Sequence, residues 1–268
     1  MKKIGIIASL IITTILTSCD SSSSSNHSTH PEVAQSTHLK SDTSEPAMGC
    51  SANANKKATS SKYLKPFRPE LPTIGLLIFD GVLQGEVIAT SDVFGKPNQN
   101  MEQIFNVIAI AETMEPITTQ EGMHFVPDYT FENCPELTVL FVPSSYDMTE
   151  QVNNTDMVNF IRNKNEETDH MVSNCAGAQL IGQSGIADGH KIVTYIGGGK
   201  QLQQDFPNLK VQDDGLVSYV EDGKFSSSNG NLTSYITALN LLEKMTSTNH
   251  RMFVEQYLYL DQLQNWKR

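Results

Sequence analysis

Residues 172–189 read VSNCAGAQLIGQSGIADG. A short apolar segment ends at Cys175, three small residues (Ala176, Gly177 and Ala178) follow, and a helical pattern begins at once. That order suits a sharp strand-to-helix turn, which pushes the side chain at its apex out at the carboxyl edge of a sheet. The helix behind it directs unpaired N–H groups and the positive end of its dipole toward that side chain. Cys175 is therefore expected to ionise more readily than a free thiol. The residue suits an inert core position as well, the usual place for a free cysteine.

The flanking chain alternates in the same way. Apolar runs at residues 73–79, 105–111, 137–142, 170–173 and 191–195 read as strands. Helical spacings at 86–94, 149–164, 200–206, 233–245 and 249–260 separate or follow them. Residues 217–220 and 224–227 flank Glu221-Asp222-Gly223, which suits a tight hairpin. Such alternation predicts an α/β fold, a three-layer sandwich with a mostly parallel central sheet covered on both faces. Working residues in such folds sit at the carboxyl ends of strands. Gly197-Gly198-Gly199 precedes a helix, as phosphate cradles do. It lacks the Walker Lys-Ser/Thr ending and the GxGxxG register, and is read as a turn.

The amino end carries a different message. Lys2 and Lys3 precede an apolar run over 4–16, which closes in Leu16-Thr17-Ser18-Cys19. A positive n-region with a short apolar segment is a signal peptide, too short to span a membrane. The last four residues resemble the lipobox of bacterial lipoproteins, in which the cysteine is lipidated. The alternative is an ordinary secretory signal with a chance cysteine. The expected organisation is a signal peptide at 1–18, a lipidated tether at 19–68 and a domain at 69–268. Its home is the cell envelope outside the cytoplasm, with membrane contact through lipid on Cys19. The serine-rich tether cannot bury enough apolar surface to offset the entropy of ordering. As a coil it would span on the order of 40 Å.

Composition narrows the partners. The chain carries 30 acidic and 19 basic residues. Residues 1–68 hold eight basic and four acidic side chains, so the remaining 200 hold 26 acidic and 11 basic, a net of −15. That balance argues against a nucleic-acid surface. Cys19, Cys50, Cys134 and Cys175 are too few and too widely spaced for a disulfide framework. No CxxC pair or His/Cys cluster suggests a metal, and no cofactor is expected.

Several segments carry a family resemblance. FDGVLQGEVIATSDVF (79–94) is similar to the first strand exit and first helix of the DJ-1/PfpI superfamily, and GMHFVPDYTF (122–131) to the segment after it. SNCAGAQLIGQSGIADG resembles the nucleophile elbow of the branch containing isonitrile hydratases and the amidotransferase-like domains of AraC-type regulators. Residues 191–225 and 227–243 resemble the later part of that branch. The resemblance covers roughly residues 72–260. It implies a flavodoxin-like sandwich, often a homodimer, acting on or binding a small molecule. It places the elbow nucleophile at Cys175 and an acidic partner at Glu86.

A carboxyl beside a thiolate cannot stay ionised cheaply, so a protonated Glu86 would hydrogen-bond the sulfur and move its proton. By itself, Glu86 reads first as a solvated helix residue. The implied substrate or oxyanion positions are Gly81, Ser144, Ser145, Ala176 and Tyr195. Three of these places depart from the pattern. Tyr195 stands where a histidine or other polar residue is frequent, Ala176 where isonitrile hydratases carry threonine, and Ser144-Ser145 where a glycine pair is usual. Tyrosine, with a reference pKa of about 10, is a poor base near neutral pH. AraC-type regulators append a helix-turn-helix segment, and none follows here. Catalysis on a small electrophile and non-catalytic ligand binding or redox sensing both remain open.

Overall fold

The structure is a computed structural model that describes residues 63–263. The expected signal peptide, Cys19, Cys50 and most of the expected tether lie outside the described residues. Strand β1 (Thr73–Leu77) is buried along its whole length, as the unbroken run TIGLL requires of a central parallel strand. β2 (Asn106–Ala111), the two-residue strands β3 (Ile117–Thr118), β4 (His124–Phe125) and β5 (Tyr129–Thr130), and β6 (Val139–Val142) follow. β7 (His170–Asn174), β8 (Lys191–Ile192), β9 (Lys210–Val211), β10 (Tyr219–Asp222) and β11 (Phe225–Ser228) complete the strands. The central sheet runs β10-β11-β7-β6-β1-β2-β5, and all its pairs are parallel except β10 with β11.

The helices are α1 (Gln84–Phe94), α2 (Thr149–Asn153), α3 (Thr155–Glu167), α4 (Ala178–Ser184), α5 (Gly199–Asp205), α6 (Thr233–Met245), α7 (Thr248–Tyr257) and α8 (Leu260–Leu263). α1, α6 and α7 form one layer, and α2 to α5 the other. This is the α/β sandwich with a largely parallel sheet that the alternation predicts. Phe94 meets Phe105 and Phe141 edge to face, with ring centroids 5.2 and 5.8 Å apart. Each fully buried ring contributes roughly 1.5–3 kcal/mol.

Four elements differ from the sequence expectation. The helix expected at 149–164 is two helices, because Asn154 turns extended and its Oδ1 accepts the Met157 N–H at 2.9 Å as an N-cap. The strand expected at 191–195 stops at Ile192 and pairs only with β9, outside the central sheet. From there the chain turns toward Cys175, as described below. The last helix breaks after Tyr257, where Tyr259 takes a positive φ of 57°. In the hairpin Asp222 pairs with Phe225, so the two turn residues are Gly223 and Lys224 rather than Asp222-Gly223.

The amino-terminal end of the described chain lies against the domain. The Arg68 N–H donates to Asn106 Oδ1 at 2.9 Å, Asn106 Nδ2 returns a bond to the Arg68 carbonyl at 2.8 Å, and Phe67 packs on Tyr129. Among the described residues no helix is long and apolar enough to cross a membrane.

Candidate active site at the carboxyl edge of the sheet

β7 delivers Cys175 at its carboxyl end, and the residue takes a positive φ of 53°. This left-handed conformation is costly for a residue with a Cβ and clusters at functional sites. A short 3-10 turn over Cys175–Gly177 then leads into α4. The turn is possible because Gly177 has no side chain: a Cβ there would sit 2.3 Å from the Val142 carbonyl oxygen. Thr194 holds the turn from the far side, its hydroxyl donating to the Cys175 carbonyl at 2.8 Å. Asn229 Nδ2 in turn donates to the Thr194 carbonyl at 2.7 Å.

α1 brings Glu86 to the same place, with its residue only 1 % exposed. Glu86 Oε2 accepts the Ser144 N–H at 2.7 Å and the Ser144 hydroxyl at 3.0 Å. Its Oε1 accepts the Asn231 N–H at 3.3 Å. Ser144 follows β6, and Asn231 follows β11, so the ends of three neighbouring strands meet here. Gly230 is the wedge between the two candidate residues. A Cβ on it would lie 2.3 Å from Cys175 Cβ and 2.3 Å from Glu86 Oε1, so those atoms are no further apart than twice that distance. Gly230 also has a positive φ of 84°. Its N–H donates to the Ser228 hydroxyl at 3.2 Å, and that hydroxyl donates to Asn174 Oδ1 at 2.8 Å.

The electrostatics correct one expectation. The Cys175 thiol is pushed up, not down, first by burial and then by the Glu86 charge. The Ser144 hydroxyl and Ala176 N–H oppose this without reversing it. A short helix cannot repay the loss of solvent around a thiolate. Burial likewise raises the Glu86 carboxyl above the ordinary carboxylate range, against the hydrogen bonds from Ser144 and Asn231. A neutral thiol thus faces a carboxyl that holds its proton more tightly than a surface glutamate.

The remaining candidates divide. Ala176 is buried at the elbow. Ser144 serves Glu86, so its N–H is not free for an oxyanion. The Ser145 N–H points at Met148 Sδ at 3.1 Å, a weak acceptor. Gly81, with φ 81°, donates to the Thr118 carbonyl at 2.8 Å, and a Cβ on it would lie 3.2 Å from Ser145 Oγ. Tyr195 is exposed and its ring lies over Gly198. The residue of that segment that bonds the elbow is its neighbour Thr194. Sequence reading missed Thr194, Asn229, Gly230, Asn231 and Met148. Asn229-Gly230-Asn231 was a visible turn signal, but nothing in it names Glu86 as its partner.

The glycine run before α5 is a turn, as read. The N–H groups of Gly197 and Gly199 donate to the two carboxylate oxygens of Asp214 at 2.8 and 2.7 Å. Among the described residues no group of His, Cys, Asp and Glu is placed to hold a metal ion.

Comparison with known proteins agrees with this architecture. An isonitrile hydratase of Pseudomonas putida is 24% identical over 186 residues, 69% of this chain and 77% of that protein. The crystal structure of a ThiJ/PfpI family protein from Pseudomonas syringae superposes with a TM-score of 0.64 at 18% identity, over 75% of this chain and 84% of that one. An AraC family transcriptional regulator from Pseudomonas putida gives 0.60 at 13% identity, over 70% of this chain and 99% of that one. The family profile matches residues 72–244, and the chain belongs to the DJ-1/PfpI family.

Proposed function

We propose that this protein is a cysteine-dependent enzyme of the hydratase, hydrolase or lyase type, acting on a small electrophilic molecule. The observation that carries the reading is the Gly230 wedge, which puts the buried Glu86 carboxyl beside the elbow cysteine. In the reaction the Cys175 sulfur bonds to an electrophilic carbon of a C≡N-type or carbonyl group as its S–H bond breaks. The proton passes to Glu86 and from there to the nitrogen or oxygen of the substrate. Water then releases the product and restores the thiol. The raised Glu86 pKa suits this role, since a carboxylate that holds protons tightly is the stronger base. Similarity to an isonitrile hydratase puts isonitriles first among the substrates to try. The test is turnover of isonitriles, nitriles and 2-oxoaldehydes by the full chain in detergent, beside Cys175→Ala and Glu86→Gln. Activity no higher than that of Cys175→Ala on every compound overturns it.

A second reading, a ligand-binding or redox-sensing module, is favoured by Ala176 and Tyr195 standing where threonine and histidine are frequent. It predicts no turnover. Selective, reversible oxidation of Cys175 by mild peroxide, read by mass spectrometry, supports sensing.

The proposed setting is the cell envelope, with the domain held by lipid on Cys19. Support comes from Lys2, Lys3, the apolar run and the Leu16-Thr17-Ser18-Cys19 ending. Cys19→Ser is expected to leave the protein unprocessed or released. A processed Cys19→Ser protein still in the membrane fraction overturns the assignment.

A further inference from the structure

The segment after β8 is held by side chains instead of a strand ladder. β8 and β9 part after Ile192 and Val211. From there the Val193 N–H donates to the Ser227 hydroxyl at 2.9 Å, and the Thr194 carbonyl accepts from Asn229 Nδ2 at 2.7 Å. Ser227 lies in β11 and Asn229 directly follows it. β11 pairs with β7, Ser228 opposite Asn174, so these two bonds draw the segment to the side of the elbow. Its far end is fastened by the Gly197 and Gly199 N–H groups on Asp214. Between these anchors Thr194 is fully buried, and its hydroxyl donates to the Cys175 carbonyl at 2.8 Å.

The Cys175 carbonyl has reason to need that donor. It also accepts the Ala178 N–H, but that N–H is shared with the Ala176 carbonyl. Cys175 stands at φ 53°, a conformation that persists only where its surroundings over-determine it. β7 fixes the peptide before Cys175, and Thr194 fixes the carbonyl after it. Together they set the backbone rotation at Cys175 and hence the direction of its Cα–Cβ bond.

We infer that Thr194 is a positioning residue for the Cys175 reaction: its hydroxyl holds the left-handed turn from which the sulfur is aimed, and Asn229 acts through it. The inference rests on the cysteine chemistry proposed above. Thr194 touches no reacting atom, so its effect falls on the aim of the sulfur and not on substrate affinity.

The test compares Thr194→Val, which keeps the shape and removes the hydroxyl, with Thr194→Ser, which keeps the hydroxyl, in the full chain in detergent. Thr194→Val is expected to lower kcat by about 10–100-fold with KM within about twofold. Thr194→Ser is expected to stay within about threefold of the parent. Asn229→Ala is expected to lower kcat in the same direction, yet by less than about twofold when added to Thr194→Val, since the two act along one path. Alkylation by iodoacetamide, read at Cys175 and Cys134 by mass spectrometry, needs no turnover. The ratio of the two rates is expected to shift at least about threefold in Thr194→Val and to return in Thr194→Ser, whereas a general loosening would move both thiols together. Thr194→Ala takes the place of Thr194→Val if the latter does not fold. A parent without turnover defeats the proposed reaction, and the alkylation ratio then still decides whether Thr194 sets the elbow. An unchanged ratio in the folded variant, a loss confined to KM, or no recovery in Thr194→Ser overturns the inference.

Discussion

Cys134 and Cys175 are the free thiols among the described residues, and burial pushes both upward. Cys134 lies in the connection between β5 and β6, donates to the Pro135 carbonyl at 3.3 Å, and has the Lys164 ammonium nearby. It still stands at about 11. Cys175 has no cation among its influences and faces a carboxyl instead. A neighbouring positive charge therefore does not make a reactive thiol when desolvation outweighs it. What the elbow adds is a strained backbone that aims the sulfur and a buried group that can accept and return its proton.

That contrast is broken most directly by deletion. Cys175→Ala is expected to lower turnover by more than about a thousandfold, whereas Cys134→Ala leaves it within about twofold, in the same substrate assay. Equal losses would mean that the elbow is not the difference.

Glu86→Gln sharpens the role of the carboxyl. Turnover is expected to fall roughly 10²–10⁴-fold, the usual worth of a positioned acid or base. The same variant has a stability signature. Glu86 is an acid whose folded pKa stands above its reference value of 4.5. The folded state therefore holds more protons than the unfolded state between the two values, and stability falls as pH rises from about 4.5 through the folded pKa. Urea titrations at several pH values are expected to show that slope in the parent and a flatter one in Glu86→Gln.

Gly230→Ala tests the wedge. Its Cβ would press on Cys175 and Glu86 at a positive φ, so a loss of about 1–3 kcal/mol is expected, with slower turnover. Denaturation midpoints and the rate assay read both effects.

Cys134 makes the smaller, alkaline prediction. Its pKa rises from 9.0 unfolded to about 11 folded, so its contribution to stability is full below pH 9 and is lost between 9 and 11. Alkylation of Cys134 by iodoacetamide is expected to reach half its maximal rate near pH 11. A small effect is also expected of Tyr195→Phe, within about threefold in turnover, because Thr194 and not Tyr195 reaches the elbow.

The parts of this site written in local order were legible in the sequence. A strand, a cysteine and small residues are contiguous, so the elbow could be read, and unbroken apolar runs marked β1 and β6. The parts made by strands meeting in space were not. Asn229-Gly230-Asn231 reads as a turn anywhere, and only the parallel pairing of β11 with β7 brings it beside Cys175. The thiol's upward shift was hidden for the same reason, since the small residues announce a helix end but not how much solvent the surrounding strands exclude. Asn154 was missed differently: an N-cap lies within an otherwise continuous helical spacing, and the pattern was followed through it.

Asp214 gives the glycine run before α5 its meaning. Its carboxylate is an anion on a leash, held beside Gly197 and Gly199 by the intervening chain. A tethered group of this kind acts at an effective concentration in the millimolar range or above. A free phosphate would have to displace a competitor that never diffuses away. The glycines thus work as a joint closed by the protein's own charge, fastening the segment after β9 to the start of α5, and a sequence that looks open to nucleotides is already occupied from within.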